Sequence, residues 1–443
     1  MNAMHPRRCT RTIARSIAWA LLAGAPVAAS IAAQGEGSNE VARGEYLVRI
    51  GDCEYCHTEP NGKPFAGGRA IATPFGVIYT ANITPDPTTG IGQWTVQDFY
   101  TALHTGIRRG GGHLYPAFPY PWFTKVSRDD VEAIKAYLDT VAPVQQSNKP
   151  NKLPWPMSWR GSLFGWNLLF FDEGDYKDDA TQSAQWNRGA YLVQGLAHCG
   201  ACHTPVNWLG GTKHSNAFQG GVAGLHWAAP GLGSNIRDGV GGWSVAEIVE
   251  YLKTGANAKS ASAGPMTDVV MNSTQYLSDT DLNAIALYLK NRPHGAHKTP
   301  PKTQDLGSAA LARGQALFTD NCTACHNPDG RGVPKVFPPL TGSAAIQADN
   351  PGTVIHVVLA GSKMAAPASL PTGLSMPGFG WKLDDREIAD VVNYARHAWG
   401  NRAPLVDADT VAAVRKDIEP SDRPSRDGTL TAHPDAPVNR GNP

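Results

Sequence analysis

The stretch Gly51-Asp-Cys-Glu-Tyr-Cys-His57 is the most informative part of this 443-residue chain for its fold. It places two cysteines three positions apart with a histidine directly after the second, and the pattern recurs at Cys199-Gly-Ala-Cys-His203 and Cys322-Thr-Ala-Cys-His326. This spacing is the signature of covalent haem c attachment, in which both thiols form thioethers with the porphyrin and the histidine ligates the iron. The sequence therefore predicts three haem c groups, each held by its own pair, Cys53 and Cys56, Cys199 and Cys202, or Cys322 and Cys325, with His57, His203 and His326 as proximal ligands.

The cysteine content leaves little room for other uses of these motifs. Six of the seven cysteines lie in the three motifs and the seventh, Cys9, lies near the N-terminus, so no pair remains for a structural disulfide. Zinc sites normally take two such pairs each, and three pairs would leave one over. A thioredoxin-like redox pair needs a βαβ context, which the sequence does not indicate.

Length and composition predict several small domains in an exported protein. A chain of 443 residues exceeds what one hydrophobic core usually serves, so about three domains are expected. The formal net charge of +1 gives no indication of nucleic-acid binding. Residues 1–33 combine an arginine-bearing start with an apolar, alanine-rich run, which predicts a cleaved signal peptide; an uncleaved membrane anchor is the alternative.

Each motif lies in a repeated unit. An Arg-Gly pair precedes it in a predicted short helix, and an amphipathic helix with a capping residue (Ser127, Ser278 or Asp384) closes the unit. We therefore predict an all-α fold of three tandem cytochrome c-like domains. The predicted boundaries are domain one at 39–147, domain two at 183–294, a linker at 295–304, domain three at 305–402, and a polar, mobile tail at 403–443 with a short helix around Val411 to Ile418.

Residues 148–182 form a connector rich in aromatic residues. Pro154-Trp-Pro-Met-Ser-Trp159 leads into Trp166-Asn-Leu-Leu-Phe-Phe171. Two interpretations are open at this point. The aromatic side chains either pack between domains one and two, or they form a docking surface for a partner or a quinone.

The distal iron ligands are expected on the loop before each closing helix, because methionine opposite histidine is a common pair in electron-carrying haems. Met376 precedes Pro377 and is favoured over Met364 in domain three. In domain two, Met266 follows a Gly-Pro turn and is favoured over Met271, which is assigned to the core.

Domain one has no methionine between Met4 and Met157. Phe118 occupies the equivalent loop position, and phenylalanine cannot ligate iron. Three alternatives follow: Met157 reaches back from the connector, a histidine (His113 or His104) ligates the iron, or the distal position is open.

Several further stretches identify a family. They are Gly44-Glu-Tyr-Leu-Val48, Thr73-Pro-Phe-Gly76, Asn82-Ile-Thr-Pro-Asp86, Leu114-Tyr-Pro-Ala117, Trp166-Asn-Leu-Leu-Phe170, Ser273-Thr-Gln-Tyr-Leu277 and Trp399-Gly-Asn401. Over about residues 39–402 the chain resembles the triheme cytochrome c subunits of membrane-associated quinohaemoprotein alcohol dehydrogenases. It also resembles the matching subunits of flavin gluconate, sorbitol and fructose dehydrogenases.

This resemblance implies a subunit on the periplasmic face of the cytoplasmic membrane. It would take electrons from a catalytic quinoprotein or flavoprotein subunit and pass them from haem to haem to ubiquinone or a terminal oxidase. The family's axial methionine carries over to Met266 and Met376, whereas many relatives have methionine where Phe118 stands here. Association with the membrane would then depend on surface patches.

We therefore expect an electron-transfer subunit without substrate chemistry of its own. The sequence contains no nucleophile elbow, phosphate loop or dinucleotide fingerprint. One alternative keeps this role but makes the partner a molybdenum hydroxylase. Another is a haem enzyme whose open first haem acts on peroxide or a sulfur compound.

Overall fold

The structure is a computed structural model of the chain, and it describes residues 39–223, 226–292 and 306–418. The predicted signal peptide, the linker at 295–304 and the tail beyond residue 418 lie outside the described residues. Within them, three helical units follow one another along the chain, each containing one Cys-x-x-Cys-His motif.

The helices of each unit follow the same order. Unit one contains α1 (39–50), α2 (Cys53–Cys56), α3 (Val96–Thr105), α4 (Tyr120–Phe123) and α5 (Arg128–Leu138), and α6 (Ser162–Phe170) follows it in the connector. Unit two contains α7 (Ala184–Tyr191, extended by the π-helical turn Leu192–Leu196), α8 (Gly200–His203), α9 (Val245–Thr254), α10 (Pro265–Asn272) and α11 (Asp279–Asn291). Unit three contains α12 (Ser308–Asn321), α13 (Thr323–His326), α14 (Ala344–Gln347), α15 (Gly352–Ala360), α16 (Asp385–His397) and α17 (Ala408–Asp417). Short 3₁₀ turns lie at His214–Asn216, Thr274–Tyr276 and Ala398–Gly400.

The prediction of a helical fold is confirmed, but the all-α description missed a small β-pair in each unit. The antiparallel pairs are β1 (Ala70–Thr73) with β2 (Gly76–Tyr79), β3 (Gln219–Val222) with β4 (Ala228–Gly231), and β5 (Ser362–Lys363) with β6 (Ser375–Met376). These strands have two to four residues and lie in loops rich in glycine and proline. Strands this short carry too few residues for an alternating pattern to be recognised.

A glycine lets the first and last helices of each unit cross at close range. A Cβ atom on Gly44 would lie 1.9 Å from the carbonyl oxygen of Ala133 in α5, and one on Gly189 would lie 2.0 Å from that of Ala284 in α11. In unit three a Cβ on Gly314 would lie 2.3 Å from the carbonyl oxygen of Asp390. The glycines of the three Arg-Gly pairs are therefore the points where these helices touch.

The closing helices begin and pack as the sequence predicts. The side chain of Ser127 accepts a hydrogen bond from the backbone N–H of Asp130, Ser278 does the same for Asp281, and Asp384 forms a capping box with Glu387. The predicted apolar faces are buried, comprising Val131, Ile134, Leu138, Leu282, Ile285, Leu289, Ile388, Val391 and Ala395.

The arginine of each Arg-Gly pair binds an acid in the closing helix of its own unit. The pairs are Arg43 with Asp130, Arg188 with Asp281 at 2.9 Å, and Arg313 with Asp390 at 2.7 Å. All three acids are less than a tenth exposed, so the arginine satisfies a carboxylate that would otherwise be costly to bury.

Units one and two are joined by reciprocal tyrosine–aspartate hydrogen bonds, which we call the tyrosine exchange. Unit three has no such tyrosine. The Tyr46 hydroxyl of unit one donates to Asp281 of unit two at 2.8 Å, and the Tyr191 hydroxyl of unit two donates to Asp130 of unit one. Ala316 stands at the corresponding position of unit three. Units one and two accordingly share one hydrophobic core, whereas the apolar residues of unit three form clusters of their own.

Contacts continue beyond two of the predicted boundaries. Asn148 and Lys152 follow residue 147 and bind unit one, since the Asn148 side chain accepts a hydrogen bond from the Asn82 N–H at 2.7 Å and Lys152 pairs with Val77 of β2. The chain after residue 402 likewise packs on unit three. Its core includes four residues of the expected tail, a contribution that the polar composition of 403–443 conceals: Val406, Val411, Val414 and Ile418.

Candidate haem-attachment sites

Each Cys-x-x-Cys-His motif forms a single helical turn directly after the first helix of its unit. In unit one the turn is α2, with His57 at its C-terminal end. In units two and three the first cysteine, Cys199 or Cys322, precedes α8 or α13 and the histidine is the last helical residue. A turn of this kind presents both thiols and the imidazole of one motif within one short stretch of backbone.

A backbone carbonyl fixes the ring of each motif histidine. Nδ1 of His57 lies 2.6 Å from the oxygen of Ala81, Nδ1 of His203 lies 2.7 Å from that of Pro230, and Nδ1 of His326 lies 3.0 Å from that of Pro338. A carbonyl only accepts hydrogen bonds, so Nδ1 carries the hydrogen and the lone pair lies on Nε2. This is how metal-ligating histidines are usually oriented.

Burial keeps these imidazoles neutral. It lowers the pKa of His57, His203 and His326 below the usual value, and the hydrogen bond to the carbonyl opposes this only in part. A neutral imidazole is the form that coordinates a metal.

Each motif contains a thiol whose burial disfavours the reactive thiolate form. All six are unpaired, and burial raises the pKa of Cys53 and Cys199 to about 12 and that of Cys322 to about 11. Redox-active Cys-x-x-Cys pairs show the opposite shift. Across the described ranges, no three His, Cys, Asp or Glu side chains converge on a site that could hold a metal ion by themselves. The donor set of two thiols and one oriented imidazole therefore fits a haem c.

The predicted methionine ligands lie in the segments before the closing helices of their units. Met266 is in the first turn of α10, and Met376 is in β6, paired with Ser362. The sulfur of Met271 instead accepts a hydrogen bond from the Ala366 N–H of unit three at 3.2 Å, and the Met364 N–H donates to the Leu374 carbonyl.

The structure shows different surroundings for the four residues considered at the distal position of unit one. Both ring nitrogens of His104 face acids of the connector, and Nδ1 of His113 contacts the side chain of Asn167 in α6. Phe118 packs in the shared core against Phe123, and Met157 lies on the connector.

Helix α10 contacts the first motif and the strand pair that contains Met376, and these contacts were not predicted. Asp268 accepts a hydrogen bond at 2.9 Å from Tyr55, which stands between the two cysteines of unit one. Thr267 donates at 3.2 Å to the carbonyl of Lys363 in β5, the strand paired with that of Met376. The polar residues Thr267 and Asp268, directly after Met266, were the signal in the sequence that could have indicated these contacts.

None of the helices in the described part of the chain combines the length and the apolarity that crossing a bilayer requires.

Comparison with known proteins agrees with this geometry. The cytochrome c family model matches residues 311–399, which fall in unit three. The gluconate 2-dehydrogenase cytochrome c subunit of Pantoea cypripedii is 42% identical over 85% of this chain and 90% of its own length. The cytochrome c subunit of the quinone alcohol dehydrogenase of Gluconobacter oxydans is 41% identical, covering 85% and 82%. A subunit of the nicotinate dehydrogenase of Pseudomonas putida is 40% identical over 82% of this chain but only 30% of its own length. The chain belongs to the family of cytochrome c subunits of alcohol and gluconate dehydrogenases.

Proposed function

We propose that the chain is the three-haem electron-transfer subunit of a dehydrogenase complex and performs no substrate chemistry itself. The observation that carries this proposal is one donor set repeated three times, in which a Cys-x-x-Cys turn is followed by an imidazole held through Nδ1 by a carbonyl. When bound, haem c supplies one-electron reduction and oxidation at its iron. The chain contributes attachment, ligand orientation and burial.

The residue roles follow from this donor set. The three haems are attached by the cysteine pairs of the motifs, which are Cys53 and Cys56, Cys199 and Cys202, and Cys322 and Cys325. The proximal ligands are His57, His203 and His326. Met266 and Met376 are the distal ligands of the second and third haems. The contact between Met271 and Ala366 supports Met266 as the ligand of unit two, because it directs the other sulfur of α10 toward unit three.

The contacts of α10 support a relay with the second haem in the middle. This helix carries Met266 and touches Tyr55 of the first motif and Lys363 beside the Met376 strand. Unit one also contacts the second motif directly, since the ring of Trp122 in α4 packs on Gly200, where a Cβ would lie 2.0 Å from it. Contacts this close shorten the path between neighbouring haem sites.

The membership of the family supports a catalytic dehydrogenase partner, and we propose the acceptor by analogy. The catalytic subunit would oxidise an alcohol, a sugar or a sugar acid, and ubiquinone or a terminal oxidase would receive the electrons. Removal of residues 1–33 on export would place the chain at the periplasmic face of the cytoplasmic membrane.

The connector supplies a surface suited to peripheral membrane binding. Its inner side is packed, as the Trp166 indole N–H donates to the Leu209 carbonyl of unit two at 3.0 Å. Its outer side carries apolar side chains that are 64–82% exposed. These are Trp155, Trp159, Phe164, Leu168 and Leu169. Residues 153–171 contain one arginine and no acid. Tryptophan-rich, uncharged surfaces of this kind are typical of the membrane interface. The inner contacts agree with the interpretation of packing between units, and we propose the membrane as the occupant of the outer surface.

Removing these side chains should release the chain from lipid. We expect replacement of Trp155, Trp159, Phe164 and Leu168 by serine to lower binding of the mature chain to phosphatidylethanolamine–phosphatidylglycerol vesicles at least about tenfold in a flotation assay, because each exposed apolar side chain contributes on the order of 1 kcal/mol when it is buried in the interface. A control with Ile236→Ser and Trp381→Ser, which alters exposed apolar residues of units two and three, should float like the unaltered chain. Equal flotation of all three proteins would contradict the assignment of this surface.

The proposed function is tested by following electrons into the chain. The complex is purified from solubilised membranes, the co-purifying catalytic subunit is identified, and its substrate is added without oxygen while haem absorbance is recorded. We expect substrate to reduce the haems of the complex but not those of the chain alone. Haems that dithionite reduces and substrate leaves oxidised, or substrate oxidation by the isolated chain with a dye acceptor, would contradict the proposal.

A second candidate partner is a molybdenum hydroxylase that oxidises N-heterocycles. The similarity to a nicotinate dehydrogenase subunit favours it. The same reduction assay separates the two, since nicotinate rather than an alcohol or gluconate would then reduce the haems.

A further inference from the structure

The loop before α4 places Phe118 in register with the methionine of unit two. Helices α3 and α9 end alike, at glycines in the left-handed conformation, Gly106 and Gly255. The Leu114 N–H donates to the Gly106 carbonyl at 2.7 Å, and in unit two the Ser262 N–H donates to the Gly255 carbonyl at 2.7 Å. Four residues beyond these donors stand Phe118 and Met266, respectively.

Phe118 faces inward and fills this position with a group that cannot ligate iron. Its ring lies 5.5 Å from that of Phe123, in edge contact, and packs against the core shared by units one and two. The residue that replaces the methionine is therefore a fixed apolar side chain.

The ring of His104 is held by two acids of the connector. Its side chain is 9% exposed, Nε2 lies 2.9 Å from an oxygen of Asp175, and Nδ1 lies 3.5 Å from an oxygen of Glu173. Since both ring nitrogens face carboxylates, neither has a lone pair directed at an iron.

His113 is also engaged. Asn167 of α6 accepts a hydrogen bond from the Tyr120 hydroxyl through its oxygen, so its amide N–H₂ faces Nδ1 of His113 at 3.1 Å. An Nδ1 that accepts a hydrogen bond leaves the hydrogen of the ring on the other nitrogen. That nitrogen then has no lone pair for a metal.

Met157 is tied to this loop through its backbone. Its carbonyl oxygen accepts a hydrogen bond from the Tyr115 hydroxyl at 2.9 Å, and Arg160 of the same segment donates to the carbonyl of His113. His113 and Tyr115 therefore contact the connector, whereas Phe118 packs against the shared core. The segment that carries Met157 thus binds a part of the loop other than Phe118.

We propose that the first haem has no protein ligand on its distal side and that this apolar site binds small neutral diatomic molecules such as carbon monoxide and nitric oxide. The site rests on the proposed attachment of haem to Cys53 and Cys56. Its ligand class follows from Phe118, which offers neither charge nor a hydrogen bond to the bound molecule. Methionine sulfur closes the corresponding positions of the second and third haems.

The test is a carbon monoxide titration of the dithionite-reduced mature chain, after its haems have been counted by mass and located by peptide mapping. We expect one carbon monoxide per three haems. Phe118→Met should bind none, and Met266→Ala should bind two.

The controls keep the two proposals separate. Met157→Leu and His113→Ala should bind one carbon monoxide, like the unaltered chain. A chain that holds three haems and binds none would overturn this inference alone, as would carbon monoxide binding that arises only in Met157→Leu or His113→Ala. A chain without haem at Cys53 and Cys56 would overturn the three-haem proposal as well.

Discussion

Replacing Gly189 by alanine is expected to destabilise the paired units one and two by about 3 kcal/mol, because overpacking of close helix contacts costs up to about this much. The added Cβ would lie 2.0 Å from the Ala284 carbonyl oxygen and 3.0 Å from the Cβ of Tyr288. The new Cβ would collide with the backbone of another helix, so neither rotamer changes nor a small side-chain shift can relieve the contact. The helices must separate.

Chemical denaturation followed by circular dichroism measures this effect, and α6 offers a matched control. Gly165 is also a helical glycine, but a Cβ there would meet nothing within 4 Å. Gly165→Ala should therefore stabilise its helix by about 1 kcal/mol, since alanine is the better helix former. If Gly189→Ala were as stable as the unaltered chain, the helix crossing described for all three units would be wrong.

Replacing Met376 by leucine is expected to lower the reduction potential of the third haem by on the order of 0.2 V, within the range of about 0.8 V over which axial ligands set haem potentials. Leucine has a similar volume but no sulfur, so the loop keeps its packing and the iron loses its ligand. The pairing of Met376 with Ser362 through the backbone remains available to the variant.

Spectroelectrochemical titration of the complete chain resolves this change. One of the three haems should shift and lose its methionine–iron charge-transfer band while the other two keep their potentials. Met364→Leu is the control. The backbone N–H of residue 364 can still donate to the Leu374 carbonyl after the substitution, and the Met364 sulfur has no assigned role. A shift in the Met364 variant, with none in the Met376 variant, would reverse the ligand assignment.

Features with local sequence signals were predicted well. The caps at Ser127, Ser278 and Asp384 and the apolar faces behind them depend on residues three or four positions apart, and the structure confirms them. The cysteine motifs are equally local. Residues that cap or pack within one helix can be recognised without knowledge of the tertiary fold.

Features that depend on distant backbone were not predicted. The carbonyls that fix His57, His203 and His326 stand 24, 27 and 12 residues away, and a carbonyl is present on every residue, so composition gives no sign of which one is used.

The tyrosine exchange corresponds to a sequence pattern whose meaning is clear only from the fold. Tyr46 and Tyr191 follow their Arg-Gly pairs, and Ala316 takes the place of tyrosine in unit three. The pattern was visible as a repeat, but only the contacts with Asp281 and Asp130 show that it joins two units into one body.

The intact mass of the mature chain, produced in a host that attaches haem c, shows how many haems the protein carries. We predict the mass of the polypeptide plus three haems, with peptide mapping placing one on each cysteine pair. A mature chain carrying one or two haems would contradict the three-haem proposal.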